Sequence, residues 1–251
     1  MRHQWVLRNF VARDLKVKYR GTVLGYLWSL LEPLSLVVLY WFVFVVVAKV
    51  DKPNYPLQVI LGVLPYNFFS AVVTAGSTAL TGNASLIRRV YVPREVFVYA
   101  GVGSNLAVYG LSLLAVIPFM VAYRAWPGDQ LLVLLPATFF LVVFATGIGL
   151  VVACANAIYR DVGYVLRVAL RFFFYGSPVV YSLDMVPDSL RNWYLLNPMA
   201  TFISLTRRAI LDQPVNVPLE HLAWAMVVSV GTFVLGARVF ARWEKHAVKF
   251  L

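Results

Sequence analysis

The 251-residue chain is 61% hydrophobic and only 13% charged, with 22 Lys and Arg against 11 Asp and Glu and a formal net charge of +11. A soluble domain carries about 25% charged residues; a soluble fold of this length would lack the polar coat to cover so much apolar surface, and the bilayer is the solvent that fits. The charge would suit nucleic acid, but the basic residues lie beside apolar runs, where positive-inside topology accounts for them and no nucleic-acid partner is expected.

Residues 2–20 read as an amphipathic helix at the membrane interface. Arg13, Lys16, Lys18 and Arg20 alternate there with Phe10, Leu15, Val17 and Tyr19. Basic residues bind anionic headgroups while the apolar face sinks into the interface. Six Lys and Arg in the first twenty residues, with no apolar stretch among them, exclude a cleaved signal peptide. Val23 to Ala48 is the first span, broken only by Glu32 and Pro33. A polar turn over 49–56 leads to the second span, Leu57 to Leu80, where Pro65 is expected to kink or open the helix.

Thr81 to Glu95 is too short for a domain and too charged for a span. It reads as a short helix on the cytosolic surface. Val96 to Tyr123 is the third span, with Gly101, Gly103 and Gly110 permitting close helix approach. Leu131 to Ile158 is the fourth and holds Cys154, the one cysteine, which excludes an internal disulfide or a cysteine metal cluster. Tyr159 to Arg171 is basic again. A fifth span follows over about Val168 to Tyr181, short for a crossing. Ser182 to Pro214 carries Pro187, Pro198 and Pro214 around two amphipathic pieces of half-membrane length, which fit short re-entrant helices. The last span, Leu219 to Phe240, ends in a basic tail over 241–251.

The expected architecture is therefore one all-α integral membrane domain over 1–251 with six spans. The N-terminal region, the 81–95 and 159–171 segments and the C-terminal end from Arg238 hold 16 of the 22 Lys and Arg. That asymmetry puts both termini in the cytosol.

No catalytic or metal constellation emerges. There is no phosphate loop; His3, His221 and His246 are scattered; Asp184 and Asp188 are the one near acidic pair and read as turn and capping residues. Mid-span carboxylates are nearly absent, which points to an energy source outside the chain. Arg160–Asp161, and Arg88, Arg89, Arg94 and Glu95, are either membrane-edge charges or surfaces that receive force from a cytosolic partner. Of 38 aromatic residues, most are interfacial anchors. Tyr26, Trp28, Tyr40, Phe68 and Phe69 lie deeper, and in a passage such rings would stack on sugar faces.

RDLKVKYRGTVLGYLWSLLEP (13–33), LPYNFFS (64–70), SLIRRVYVPRE (85–95), YRDVGYVLR (159–167) with YGSPVVYSLDMVP (175–187), and YLLNPMATFI (194–203) occur in one order. Together they resemble the ABC-2 type permeases that export polysaccharides and teichoic-type polymers across the bacterial inner membrane. The resemblance covers essentially the whole chain. It implies a homodimer of six-span permeases with two separate cytosolic ATPase subunits, which carry the ATP and Mg; the chain itself is no enzyme and needs no cofactor. It implies a coupling helix over about Asn83 to Glu95, including Leu86, Ile87, Arg88, Arg89, Arg94 and Glu95, and a second contact region at Arg160 to Arg167 with Asp161. It implies half-helices over Pro187 to Leu211, with Pro187, Trp193, Tyr194 and Pro198 at a periplasmic gate. The implied substrate is a polyprenyl-pyrophosphate-linked glycan, whose pyrophosphate is assigned here to Lys16, Lys18 and Arg20; headgroup binding is the alternative for these three. Other readings are a permease for a drug or small lipid, a membrane enzyme acting on polyprenyl-phosphate substrates, and a secondary transporter, although no internal repeat is apparent.

Overall fold

The computed structural model describes residues 2–47, 49, 54–89, 92–212 and 217–251. Parts of four expected features lie outside them: the first span at its end, 48, the 49–56 turn at 50–53, the cytosolic segment at 90–91, and the 182–214 segment at 213–214. The described residues are helical nearly throughout. Five helical stretches are long and apolar enough to cross a membrane: Gly25–Val47, Tyr55–Ala79, Glu95–Tyr123, Asp129–Ile158 and Leu219–Phe250.

Helix α1 (Arg2–Lys18) is amphipathic. It packs along the third long helix, with Phe10 edge-on to Phe97 at 5.1 Å, and Arg13 donates to the Asn83 side chain at 3.0 Å. The chain then reverses through Gly21 (φ 76) and Gly25 (φ 50), left-handed positions that suit residues without a Cβ. A 3-10 turn (Gly25–Leu27) leads into α2 (Trp28–Trp41), which loosens into π-helix over Phe42–Val47.

Helix α3 (Tyr55–Ala79) is the axis of the molecule. Its apolar stretch is 72% buried against 11% for Gly25–Val47. The helix runs on through Pro65 without a break. Short α4 (Ala84–Arg89) and α5 (Glu95–Leu113) follow; a 3-10 turn (Leu114–Val116) precedes α6 (Ile117–Tyr123). That interruption comes just ahead of Pro118, whose missing N–H and bulky ring disfavour the α-helical turn before it.

Helix α7 (Leu134–Ile158) seals the bundle between α3 and the last helix. An added Cβ at Gly76 would lie 2.7 Å from the Gly149 Cα, and one at Gly236 only 2.2 Å from the Gly147 carbonyl oxygen. At these crossings backbone rests on backbone, the close approach that small residues allow. The close contacts of the third span are different ones: Gly101 meets Ala75, Gly103 meets Val11 of α1, and Gly110 faces open space.

Helix α8 (Val162–Tyr175) stands where the fifth span was expected, six residues earlier and only 14 residues long. The reading from sequence placed Arg167 in the basic segment 159–171 ahead of the fifth span, and Arg171 where that segment overlaps the span. The structure puts both on the exposed face of a helix whose other face, Leu166, Leu170, Phe173 and Phe174, packs on the core. Residues 176–182 have no helical continuation. Segment 163–180 nevertheless runs beside α3 from end to end. Asn156, which touches the Gly163 position, donates to the Ser77 carbonyl at 2.8 Å; Tyr66 donates to the Leu170 carbonyl; Tyr55 donates to the Val180 carbonyl at 2.8 Å.

Two short helices follow, α9 (Asp188–Leu195) and α10 (Pro198–Leu211). Asn197 caps α10 by accepting from the Met199 N–H at 2.9 Å. Most of α10 is buried against α3, α7 and the Asp129–Val133 turn. Helix α11 (Leu219–Ala247) completes the chain.

Candidate functional site

Three surfaces carry the residues that are hard to explain as packing alone. The first lies at the end of the bundle where α3 and α7 finish and α5 begins. A cleft of about 620 Å³ is lined by Ile87, Arg88, Arg89, Val92 to Glu95, Phe240, Ala241, Glu244 and Lys245. Leu86 and Ile87 anchor α4 by packing on the small core cluster that includes Phe97 and Phe240. Arg88 and Arg89 point outward and Glu95 is exposed. Arg94 faces Glu244 of α11 at 3.7 Å, with both side chains about one-quarter exposed. Arg160 and Asp161 project into solvent just past α7, while Arg167 is already a turn along α3. A short helix pinned by apolar residues and armed with outward cations suits docking onto another protein.

The second surface is a cavity of about 530 Å³ between the end of α1, the start of α2, and α3 and α5. Its walls are polar for so apolar a chain: Lys18, Tyr19, Glu32, Asn67, Ser70, Thr74, Thr78, Ser104, Asn105 and Ser112 among them. The spacing of Asn67, Ser70, Thr74 and Thr78 puts them on one face of α3, a signal the sequence held and the reading passed over. Ser112 closes one end by donating to the Ser29 carbonyl at 2.9 Å. Lys18 lines the cavity; Lys16 and Arg20 are exposed outside it. Tyr26 and Trp28 are about half exposed near its rim, Tyr26 lying 4.7 Å from Tyr19. Phe68 forms part of the wall and meets Tyr109 at 5.2 Å. Phe69 belongs to the core, stacked on Phe144 at 5.5 Å, and Tyr40 stacks on Phe174 at 6.1 Å.

The third surface surrounds the break after α8. Three consecutive carbonyls there are capped by side chains. Buried Arg207 donates to Val179 at 2.8 Å and Tyr181 at 3.0 Å, and also to Gln58 at 3.1 Å; Tyr55 takes the Val180 carbonyl between them. Irregular backbone deep in an apolar bundle needs such partners. Arg207 had counted in the sequence only as a charge on the minority side. Of the residues assigned to a gate, Pro187 stands at the start of α9 and Pro198 is buried at the start of α10. The Tyr194 and Tyr181 hydroxyls hydrogen-bond at 3.0 Å. Trp193 is exposed and helps line a shallow groove with Leu196, His221 and Trp224.

The described chain matches the family model described as ABC-2 type transporter over residues 6–211. It is 29% identical over 249 residues to an O-antigen export system permease protein of Klebsiella pneumoniae, covering 95% of this chain and 92% of that one. It is 30% identical over 230 residues to the O-antigen export system permease protein of Myxococcus xanthus, with 90% and 88% covered. A polysialic acid transport protein of Escherichia coli is 22% identical over 223 residues, with 87% and 86% covered.

Proposed function

The chain belongs to the ABC-2 type transporter family, and from that membership we propose that it is the membrane permease subunit of an ATP-driven exporter of an O-antigen-like polysaccharide. The observation that carries this reading is similarity along nearly the full length of both partners to O-antigen export permeases, in the Klebsiella and Myxococcus proteins alike. The polar cavity under α2 and the exposed face of α8 supply wettable surface in a chain that is otherwise made for lipid.

The finer reading has six crossings and cytosolic termini, in the bacterial inner membrane. The sixth crossing is the pair of α8 and the irregular stretch 176–181, which together match the length of α3. The helices α9 and α10 re-enter from the periplasmic side and hold that stretch in place. Two permease chains face each other across the passage, and two ATPase subunits bind ATP and Mg below them. Their closure presses α4 and the Arg94–Glu244 contact, and the push reaches the spans through α5 and α11. The polymer enters attached to a polyprenyl pyrophosphate, with its lipid beside the protein and its sugars in the passage.

Charge reversal of Arg88, Arg89 and Arg94 together tests the coupling. The triple variant is expected to fold and reach the membrane, while the complex hydrolyses ATP without moving polymer. Normal surface polymer in a strain carrying that variant alone would remove the coupling role. Purification of the tagged chain from native membranes is expected to bring down a soluble ATPase in a complex of two plus two; recovery of the permease alone in several mild detergents would contradict the assembly.

A further inference from the structure

We infer that Arg167 and Arg171 form an anion-binding step within the passage, taking the charged oxygens of the polymer, phosphate or carboxylate, as it moves past α8. The inference rests on the export reading above and names the chemistry of one part of its path.

The placement of these residues carries the argument. Leu170 accepts a hydrogen bond from Tyr66, and Tyr66 lies near the middle of the 25-residue helix α3. Arg171 is thus level with the centre of the longest buried element, and Arg167 stands one turn nearer the Ala79 end. Both side chains are exposed on the single chain. Among the described residues, neither guanidinium has a carboxylate within ion-pair distance; Arg167 rests over the Tyr164 ring at 4.5 Å. An arginine at this depth does not face lipid tails. Ionisable groups within membrane segments face a bundle interior or a water-filled space and pair there with other charges or carbonyls. The core face of α8 is occupied by Leu166, Leu170, Phe173 and Phe174, so the arginine face looks onto open space.

The surroundings choose the ligand. Four residues apart on a helix, the two side chains project from neighbouring points on one face. Guanidinium forks bind phosphate and carboxylate oxygens in pairs. Tyr164, Phe172 and Tyr175 stand exposed beside them, giving flat faces for the sugar rings that carry or follow the anion. Two chains across one passage would present four guanidiniums. The anion has two sources: the pyrophosphate link, present once per polymer, and acidic sugars, present along it.

The test uses the whole permease–ATPase complex. Arg167→Gln with Arg171→Gln, and Arg167→Lys with Arg171→Lys, replace the wild-type chain in a strain lacking its own copy. Surface polymer is measured, and the purified complexes are compared in lipid nanodiscs. The Gln pair is expected to co-purify with the ATPase and melt like wild type, yet export about tenfold less, a loss typical of charged hydrogen bonds; the Lys pair should recover part of it. In the nanodiscs, Tm is read with geranylgeranyl pyrophosphate and with a short polysialic acid oligomer. A rise in wild type that the Gln pair loses, with the first probe, assigns the step to the pyrophosphate; with the second, to acidic sugars. Wild-type export by the Gln pair, or equal response of both complexes to both probes, overturns the inference and leaves the export reading standing. Failure of the wild-type chain itself to restore export overturns that reading and this inference with it.

Discussion

The two sides of α3 are built by opposite rules. On the side of α7 and α11 the helices touch backbone to backbone at Gly76–Gly149 and Gly147–Gly236, and no room remains for a side chain. The side of α8 and the α1–α2 turn has one such contact, Gly62 against the Val179 carbonyl oxygen, where an added Cβ would lie at 2.1 Å; otherwise polar groups line a cavity, arginines stand exposed, and irregular backbone is held by side chains instead of by helix. The first side fixes the molecule in one packing. The second is held by single hydrogen bonds and leaves polar surface exposed on the single chain. One face is held by backbone contact and the other by side-chain hydrogen bonds around exposed polar surface, and substitutions on the two faces should fail in different ways.

The largest effect is expected from Arg207→Leu, which strips the Gln58, Val179 and Tyr181 carbonyls of a donor. At about 1–3 kcal/mol for each buried group left unpaired, Tm should fall steeply, and Arg207→Lys should fall between. Next is Gly236→Ala. Its new methyl would lie 2.2 Å from the Gly147 oxygen, and overpacking of this kind costs about 1–3 kcal/mol. Loss of a single sharp peak on size-exclusion chromatography is the expected result, whereas Gly110→Ala, which meets nothing within 4 Å, should behave as wild type. Tyr66→Phe removes one bond to the Leu170 carbonyl and is expected to cost about 1 kcal/mol, read as a small drop in Tm. Glu244→Gln breaks a partly exposed pair worth less than about 1 kcal/mol; its Tm should match wild type in high salt. A severe effect there would mean that the cleft beside α4 is part of the sealed face after all.

The long apolar runs were legible because hydropathy needs no partner to be read. Which run lies at the centre was not, since Gly25–Val47 is the more apolar, with a mean hydropathy of 2.3 against 1.6 for Tyr55–Ala79, yet is the less buried of the two. The α8 segment shows the limit most plainly. Arg167 and Arg171 lower its average hydropathy and made it look like a loop, yet Leu166, Leu170, Phe173 and Phe174 recur at helical spacing and mark a buried face. Pro65 and Pro118 look alike in sequence; one lies within a continuous helix and the other follows a 3-10 turn, a difference set by packing. Phe68 and Phe69, adjacent in the chain, are both buried in the core, but successive helical residues point about 100° apart, and only Phe68 also walls the polar cavity.

The capped break after α8 also bears on how the chain is made. Its three carbonyls find their donors 125 residues earlier, in Tyr55, and 26 to 28 residues later, in Arg207. When a ribosome has delivered residue 181, the later donor does not yet exist. A 14-residue helix carrying two arginines is a poor candidate to leave the translocon alone, and its unfinished end would meet lipid with bare carbonyls. Residues 162–211 are therefore expected to assemble as one unit, against an α3 that is already in place. A chain truncated before Arg207 would lack the donor for the Val179 and Tyr181 carbonyls and is expected to be cut by proteases faster than the full chain.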